Sequence, residues 1–126
     1  MSKNVDLVNG AYAAFAKGDI PALLELLADD VEWSSPATLP QGGDFTGKDG
    51  ALLFFQGVGA AWDSLDIEVE GIGDAGDDLV LAVVHGSGAR TGGGLAEYGA
   101  AHAFTVRGGK ITGFREFVDL DDPLGS

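Results

Sequence analysis

Two hydrophobic periods divide this chain. From Asn4 to Lys17, Val5, Val8, Ala11, Tyr12 and Phe15 recur at helical spacing, and Gly18 is placed to end the helix as a left-handed cap. Asp19 then caps a second predicted helix, with Pro21 in its first turn and Ile20, Leu23, Leu24 and Leu27 on its buried side. Asp29-Asp30 closes this helical pair, and Val31-Glu32-Trp33 alternates as a short strand. Between Ser34 and Gly47 stand two prolines and three glycines, which predicts a loop able to border a cavity. Thr46 and Asp49 have the spacing of a capping box with a shorter acid. The third helix they open runs through Leu52, Phe55, Gly59 and Trp62. Phe54 and Val58 make it apolar around most of its circumference, so it should be covered on more than one side.

The remainder has the period of strands. Leu65, Ile67 and Val69 alternate with Asp66, Glu68 and Glu70, and the alternation breaks at Gly71-Ile72, as a bulge would require. Leu79 to Val84 is continuously apolar, continues to His85 and suits a central strand. Gly86-Ser87-Gly88 and Gly92-Gly93-Gly94 read as turns: neither has the following helix and basic partner of a phosphate loop. A strand from about Leu95 to Val106 leads into a hairpin, Ala100 to Asp119, joined by Gly108-Gly109. Helices followed by consecutive hairpin-linked strands argue for an α+β fold with an antiparallel sheet folded over the helices.

That hairpin carries the candidate chemistry. His102, Phe104 and Val106 share one face of its first strand; Thr112, Phe114, Glu116 and Val118 share one face of its second. With only two residues in the loop, His102 lies opposite Arg115 and Glu116 points away. A third loop residue, as in a type I turn closed by a glycine bulge, reverses the parity and joins His102 to Glu116. The second register is preferred because it gathers His102, Phe104, Phe114 and Val118 on one wall.

Composition narrows the function classes. A chain of 126 residues is expected to form one domain, residues 1–126, with one core. Twenty acidic side chains against seven Lys and Arg give a formal charge of −13. Such a field repels phosphate backbones and anionic headgroups, which argues against nucleic-acid and membrane-surface roles. The chain has no cysteine, so disulfides, thiolate catalysis and sulfur-ligated zinc are excluded. The opening MSKNVDLVNG lacks the apolar core of a signal peptide and no apolar run approaches bilayer length, so a cytoplasmic location is expected. Asp119, Asp121 and Asp122 read as a solvated acidic end.

Taken together, Tyr12 with Phe15, Gly18-Asp19, Leu26 to Trp33 (LLADDVEW), His102 to Ile111 (HAFTVRGGKI) and Phe114 to Asp119 (FREFVD) resemble the SnoaL-like branch of the NTF2-like superfamily. The resemblance covers nearly the whole chain. It implies a cone, in which a strongly curved, mostly antiparallel sheet wraps three N-terminal helices around an apolar pocket. Its members range from ketosteroid isomerases and polyketide cyclases to epoxide hydrolases, dehydratases and proteins without chemistry, so it implies fold more than activity. Where the isomerases carry their proton-shuttling Asp this chain has Ser35, a hydroxyl that cannot replace a carboxylate base. Their tyrosine falls near Ala11, with Tyr12 one residue on and so rotated by about 100°; their late-strand acid corresponds to His102. SnoaL-type cyclases are similar in having a late-strand His and, fourteen residues on, an Asp acting as acid and base, positions held here by His102 and Glu116. The epoxide hydrolases' Asp, Arg, Asp relay finds no full match.

The candidate catalytic pair is therefore His102 and Glu116. A carboxyl and an imidazole in an apolar pocket could take a proton next to a carbonyl and return it to the enolate. The plainer alternative pairs His102 with a backbone carbonyl and Glu116 with an arginine of a neighbouring strand or subunit. Tyr12, Trp33, Ser35, Phe54, Trp62, Phe104, Phe114 and Val118 are candidate pocket residues, with Tyr12 or Ser35 available to a developing oxyanion; aromatic side chains at such spacings also serve as plain core. His85 reads as a satisfied core or edge histidine. No His pair has metal-ligand spacing, and no metal or organic cofactor is expected. The expected ligand is a small apolar or polycyclic carbonyl compound. The resemblance also implies a homodimer formed through the open sheet face; the rival expectation is a non-catalytic module that keeps this dimer around a vestigial pocket.

Overall fold

The computed structural model describes residues 3–35 and 43–118. Its first helix, α1 (Lys3–Ala16), ends as the glycine predicts. Gly18 sits at φ 71°, its N–H donates to the Phe15 carbonyl at 3.0 Å, and the Asp19 N–H reaches the Ala14 carbonyl at 2.9 Å. These two bonds close the helix in a Schellman motif. The Asp19 carboxylate then accepts from the Ala22 N–H at 3.2 Å and caps α2 (Ile20–Glu25), which holds Pro21 in its first turn.

That second helix is shorter than its apolar spacing predicts. Leu27 is not on it but opens β1 (Leu27–Ser35), because the Leu26 carbonyl accepts from the Ile111 N–H at 2.9 Å and Leu27 pairs with Ile111. Sheet pairing wins here, burying Leu27 and Ile111 completely. Part of the expected loop is also a strand, β2 (Gly43–Thr46), paired antiparallel to β1. The Pro36 to Gly42 stretch of that loop lies outside the described residues.

Helix α3 (Gly47–Ala61) begins at Thr46 as expected, yet no capping box forms. Thr46 is held in the β2 ladder with extended backbone, and its side chain makes no cap bond. The helix is also less enveloped than its sequence implies. Ala51, Phe54, Phe55 and Val58 are buried, whereas Leu53 is 59% exposed. The stripe Ala51, Phe54, Phe55 and Val58 has the spacing of a single buried face, so one-sided cover suffices. Trp62 starts β3 (Trp62–Asp74) instead of ending the helix.

Then come β4 (Leu79–Arg90), β5 (Leu95–Arg107) and β6 (Lys110–Val118). The sheet order is β2-β1-β6-β5-β4-β3, with β1 and β6 parallel and every other neighbouring pair antiparallel. The result is an α+β fold whose curved, unclosed sheet packs its inner face on the helices. Strand β3 carries a bulge, but just before the expected Gly71-Ile72 break: Glu70 is the extra residue between Val69 and Gly71, which are both paired. On β4, Val80, Ala82 and Val84 are buried but Leu81 and Val83 are exposed, so the apolar run is not covered on both sides.

Gly86 and Gly88 are not in a turn. Both lie inside β4, where a Cβ on Gly86 would stand 2.6 Å from Cζ of Tyr98 and one on Gly88 would collide with the Ser64 carbonyl. Strand glycines often mark this kind of close approach. Gly92, Gly93 and Gly94, all with positive φ, do make the β4–β5 turn.

The β5–β6 hairpin reaches the preferred facing by a different route. Its loop is the two-residue Gly108-Gly109 turn with φ of 60° and 76°, flanked by the pairs Arg107–Lys110 and Val106–Ile111. The parity changes one step later, at a bulge where Thr105 pairs with Gly113 and Thr112 is passed over. Beyond the bulge Phe104 lies opposite Phe114 and His102 opposite Glu116. The extra residue therefore sits in the strand, not in the turn. Two consecutive glycines at left-handed φ already match the twist of a hairpin, so the loop needs no third residue.

Candidate functional site

Strands β5 and β6 bring His102 and Glu116 face to face, and each is almost wholly enclosed, at 5% and 6% exposure. His102 Nε2 lies 2.9 Å from Glu116 Oε2. The other ring nitrogen, Nδ1, is 2.6 Å from the Tyr12 hydroxyl, carried in from α1. At the far side the Ser35 hydroxyl, at the end of β1, donates to Glu116 Oε1 at 2.6 Å. Four side chains from four elements thus form one hydrogen-bonded chain, Tyr12–His102–Glu116–Ser35. Among the described residues, neither the pairing of His102 with a backbone carbonyl nor that of Glu116 with an arginine of a neighbouring strand is formed.

One proton arrangement satisfies every member. Glu116, ionised, has only acceptor sites, so both Ser35 O–H and His102 Nε2–H donate to it. Nδ1 is then left as the acceptor for Tyr12 O–H. Burial, with smaller contributions from Glu116 and Tyr98, pushes the Tyr12 phenol well above its ordinary value. It stays protonated and can keep donating.

The chain borders a hollow between the helices and the inner sheet face. It measures about 60 Å³ by the space open to water centres, and about 520 Å³ when all unfilled space out to its mouth is counted. The larger figure includes solvent at the opening. Phe104, Phe114, Phe54 and Trp33 provide aromatic wall, and Tyr12, His102 and Glu116 provide its polar edge. Phe114 stacks on Trp33 with centroids 4.1 Å apart and meets the His102 ring edge-on at 4.8 Å.

Not every candidate residue is here. Ser35 is buried behind Glu116 and does not line the hollow; its hydroxyl is spent on the carboxylate. Trp62 is buried against Tyr98, with the Arg90 guanidinium 5.6 Å from its ring centre, and does not line the hollow either. The Val118 backbone closes β6 opposite Ala100, but its side chain lies outside the described residues, as do Asp119, Asp121 and Asp122. His85 is half-exposed on the sheet, 3.4 Å from Glu97. Tyr12 does reach the site despite its offset from the isomerase tyrosine, because the Tyr–His contact needs only the tip of a long side chain.

Sequence reasoning missed Tyr98, Leu65 and Ile67, which line the hollow from β5 and β3. The signal was available for Tyr98: a glycine two residues after a buried run, at Gly86, makes room for a large ring across the ladder, and Gly86 pairs with Tyr98. Among the described residues no three His, Asp or Glu side chains gather as a metal site would require. No helix among them is long and apolar enough to cross a membrane.

Comparison with known proteins agrees with this architecture. An uncharacterised protein of Mycobacterium tuberculosis is 34% identical over 115 residues, 90% of this chain and 87% of that one. An NTF2-like protein of Burkholderia thailandensis has a TM-score of 0.85 at 30% identity, covering 94% of this chain and 92% of the other. A further M. tuberculosis protein, solved in complex with estradiol-17β-hemisuccinate, shares the fold with a TM-score of 0.80 at 24% identity over 96% of this chain and 97% of its own. The family description that matches is the SnoaL-like domain, over residues 8–114, a span that takes in Tyr12, Ser35 and His102 and stops two residues before Glu116. With the fold, the buried His102 and a family match over most of its length, the chain belongs to the SnoaL-like family, on an NTF2-like fold.

Proposed function

We propose that the protein binds a small apolar ketone in this hollow and moves a proton at the carbon next to the carbonyl, as an isomerase or cyclase would. The observation that carries this reading is the unbroken Tyr12–His102–Glu116–Ser35 chain bordering an otherwise apolar space. In it Glu116 is the sole anionic member and so the final resting place of an abstracted proton. Where the Tyr12 oxygen takes the α-hydrogen, the phenol hydrogen passes to Nδ1 and the Nε2 hydrogen to Oε2. The carbon–hydrogen bond breaks, the carboxylate is neutralised, and neither phenolate nor imidazolium accumulates. The renewed Tyr12 O–H then faces the enolate oxygen as a donor. Reversal of the same shifts returns the proton to another carbon in an isomerisation; in a cyclisation the enolate carbon attacks a second carbonyl of the ligand, and the same reversal delivers the proton to the alkoxide so formed. Ser35, already committed to Glu116, orients the carboxylate.

The bound steroid of the M. tuberculosis fold relative supports an apolar, ring-containing ligand for this chain as well. A direct test is titration of the protein with 1-tetralone, a bicyclic ketone. Glu116→Gln keeps the shape of the site and should bind it within about threefold of the parent; Phe104→Ala, which opens the aromatic wall, should bind markedly less well. Equal binding by the parent and Phe104→Ala would place the ligand elsewhere.

A second copy of the chain is the proposed partner of the outer sheet face. Val83, Ala101 and Phe117 stand in register across β4, β5 and β6, with Val83 and Phe117 more than half exposed. The adjoining groove carries both signs of charge, Arg115 with Glu32 and Asp44, which suits self-pairing about a two-fold axis. This surface also favours a second reading, in which dimer formation is the function and the hollow is vestigial.

A further inference from the structure

Tyr12, His102, Glu116 and Ser35 spend their polar atoms on one another. One buried side-chain donor in the described residues does not: the indole Nε1 of Trp33, which is shut off from solvent and has no hydrogen-bond partner. Trp33 is 5% exposed and belongs to the wall of the hollow. Its ring neighbours are Phe54, Phe55 and Phe114, none of which offers an oxygen. A phenylalanine would serve this packing without a donor to satisfy, and burying an unmatched N–H works against the fold.

We propose that the Trp33 indole is a second polar anchor, donating to an acceptor oxygen on the ligand. The inference rests on the ligand-binding reading above and narrows its substrate class. Phe114 neighbours both groups, its ring centre 4.1 Å from that of Trp33 and 4.8 Å from that of His102. Indole and imidazole are therefore no further apart than these two spans laid end to end. A ligand lying between the indole and the Tyr12 end of the chain, with an acceptor oxygen for each, is a compact ring bearing two oxygens: a cyclic dione, a hydroxyketone or a quinone-like compound. The carbonyl beside Tyr12 undergoes the chemistry, and the oxygen at Trp33 fixes which way round the ring lies.

The test compares cyclohexanone with cyclohexane-1,4-dione, which differ by one carbonyl and have no aromatic ring to disturb nearby resonances. The chain has two tryptophans, so its indole N–H spectrum contains two signals, assigned with Trp62→Phe or Trp33→Phe. The expected result is a downfield shift of the Trp33 N–H proton with the dione and a much smaller one with cyclohexanone. The dione should also bind roughly two- to tenfold more tightly, the worth of one hydrogen bond, and Trp33→Phe should erase that preference. If cyclohexanone perturbs the signals of Tyr12 and His102 while the dione leaves the Trp33 N–H unmoved, the anchor is refuted and the ligand-binding reading stands. If neither compound perturbs any residue of the hollow, both are refuted.

Discussion

Replacing both members of the buried His102–Glu116 pair should cost less than the two single replacements together. In His102→Leu the Glu116 carboxylate, 6% exposed, keeps only Ser35 as a donor and Tyr12 loses its acceptor. Breaking a buried pair from one side costs about 3–5 kcal/mol. In Glu116→Met the Nε2–H of His102 and the hydroxyl of Ser35 both lose their acceptor. Two unmatched buried donors cost about 2–6 kcal/mol. The double variant contains no charge at this point, and only the hydroxyls of Tyr12 and Ser35 need new partners, again about 2–6 kcal/mol. It should be no less stable than the worse single variant, giving a coupling of roughly 3–5 kcal/mol. A chain of 126 residues has about 6–19 kcal/mol to lose, so costs of this size are a large share of its stability. Urea unfolding at neutral pH, followed by fluorescence and by far-ultraviolet circular dichroism, provides the four free energies. Strict additivity would refute the reasoning, since it would mean that the two groups do not satisfy one another.

Tyr12→Phe should alter the alkaline limb of stability. The folded phenol titrates above the unfolded one, so the parent holds its full stability below about pH 10 and loses it as pH rises further, by up to about 1.4 kcal/mol per pH unit; parallel urea midpoints for parent and variant between pH 8 and 11 would contradict this. Gly86→Ala places a methyl 2.6 Å from the buried Tyr98 ring and should destabilise by about 1–3 kcal/mol while weakening 1-tetralone binding. Gly71→Ala, with open space around it, is the control and should change stability by no more than about 0.5 kcal/mol; equal thermal melting shifts would sink the packing argument. Phe117→Lys on the outer sheet face should convert a dimer to a monomer in sedimentation without changing ketone binding, and a sedimentation profile that matches the parent's would exclude that face.

What was legible in the sequence follows from the range of the forces involved. The end of α1 and the start of α2 are local events, decided within six residues by Gly18, Asp19 and Pro21, and they stand as read. The strand from Leu65 and the faces of the final hairpin could be read because their alternation registers a sheet with one face covered, whereas β4 was read from its apolar run and cut short at Gly86. Misreadings arose where a distant partner decides. Leu27 leaves its helical spacing because Ile111 pairs with it from the other end of the chain. Thr46 forgoes a cap because β1 holds it in a ladder. Gly86 resembles a turn residue until the Tyr98 ring lies across it. The candidate site was half legible: strand parity limited His102 and Glu116 to the same or opposite faces, and the bulge at Thr112, which decides between them, has no turn signature. Tyr12 was assignable to a buried helix face, but its hydroxyl contact with His102 spans 90 positions of sequence and depends on how α1 lies against the sheet.

The central claim is that this buried chain of polar groups carries protons to and from a ketone. Hydrogen–deuterium exchange at the α-carbon of 1-tetralone in heavy water, followed by proton NMR, measures that transfer without requiring the natural substrate. The account predicts exchange by the parent well above the buffer rate and a loss of about 10²- to 10⁴-fold in Glu116→Gln. Exchange no faster than buffer at saturating 1-tetralone, or a Glu116→Gln variant as fast as the parent, would contradict it.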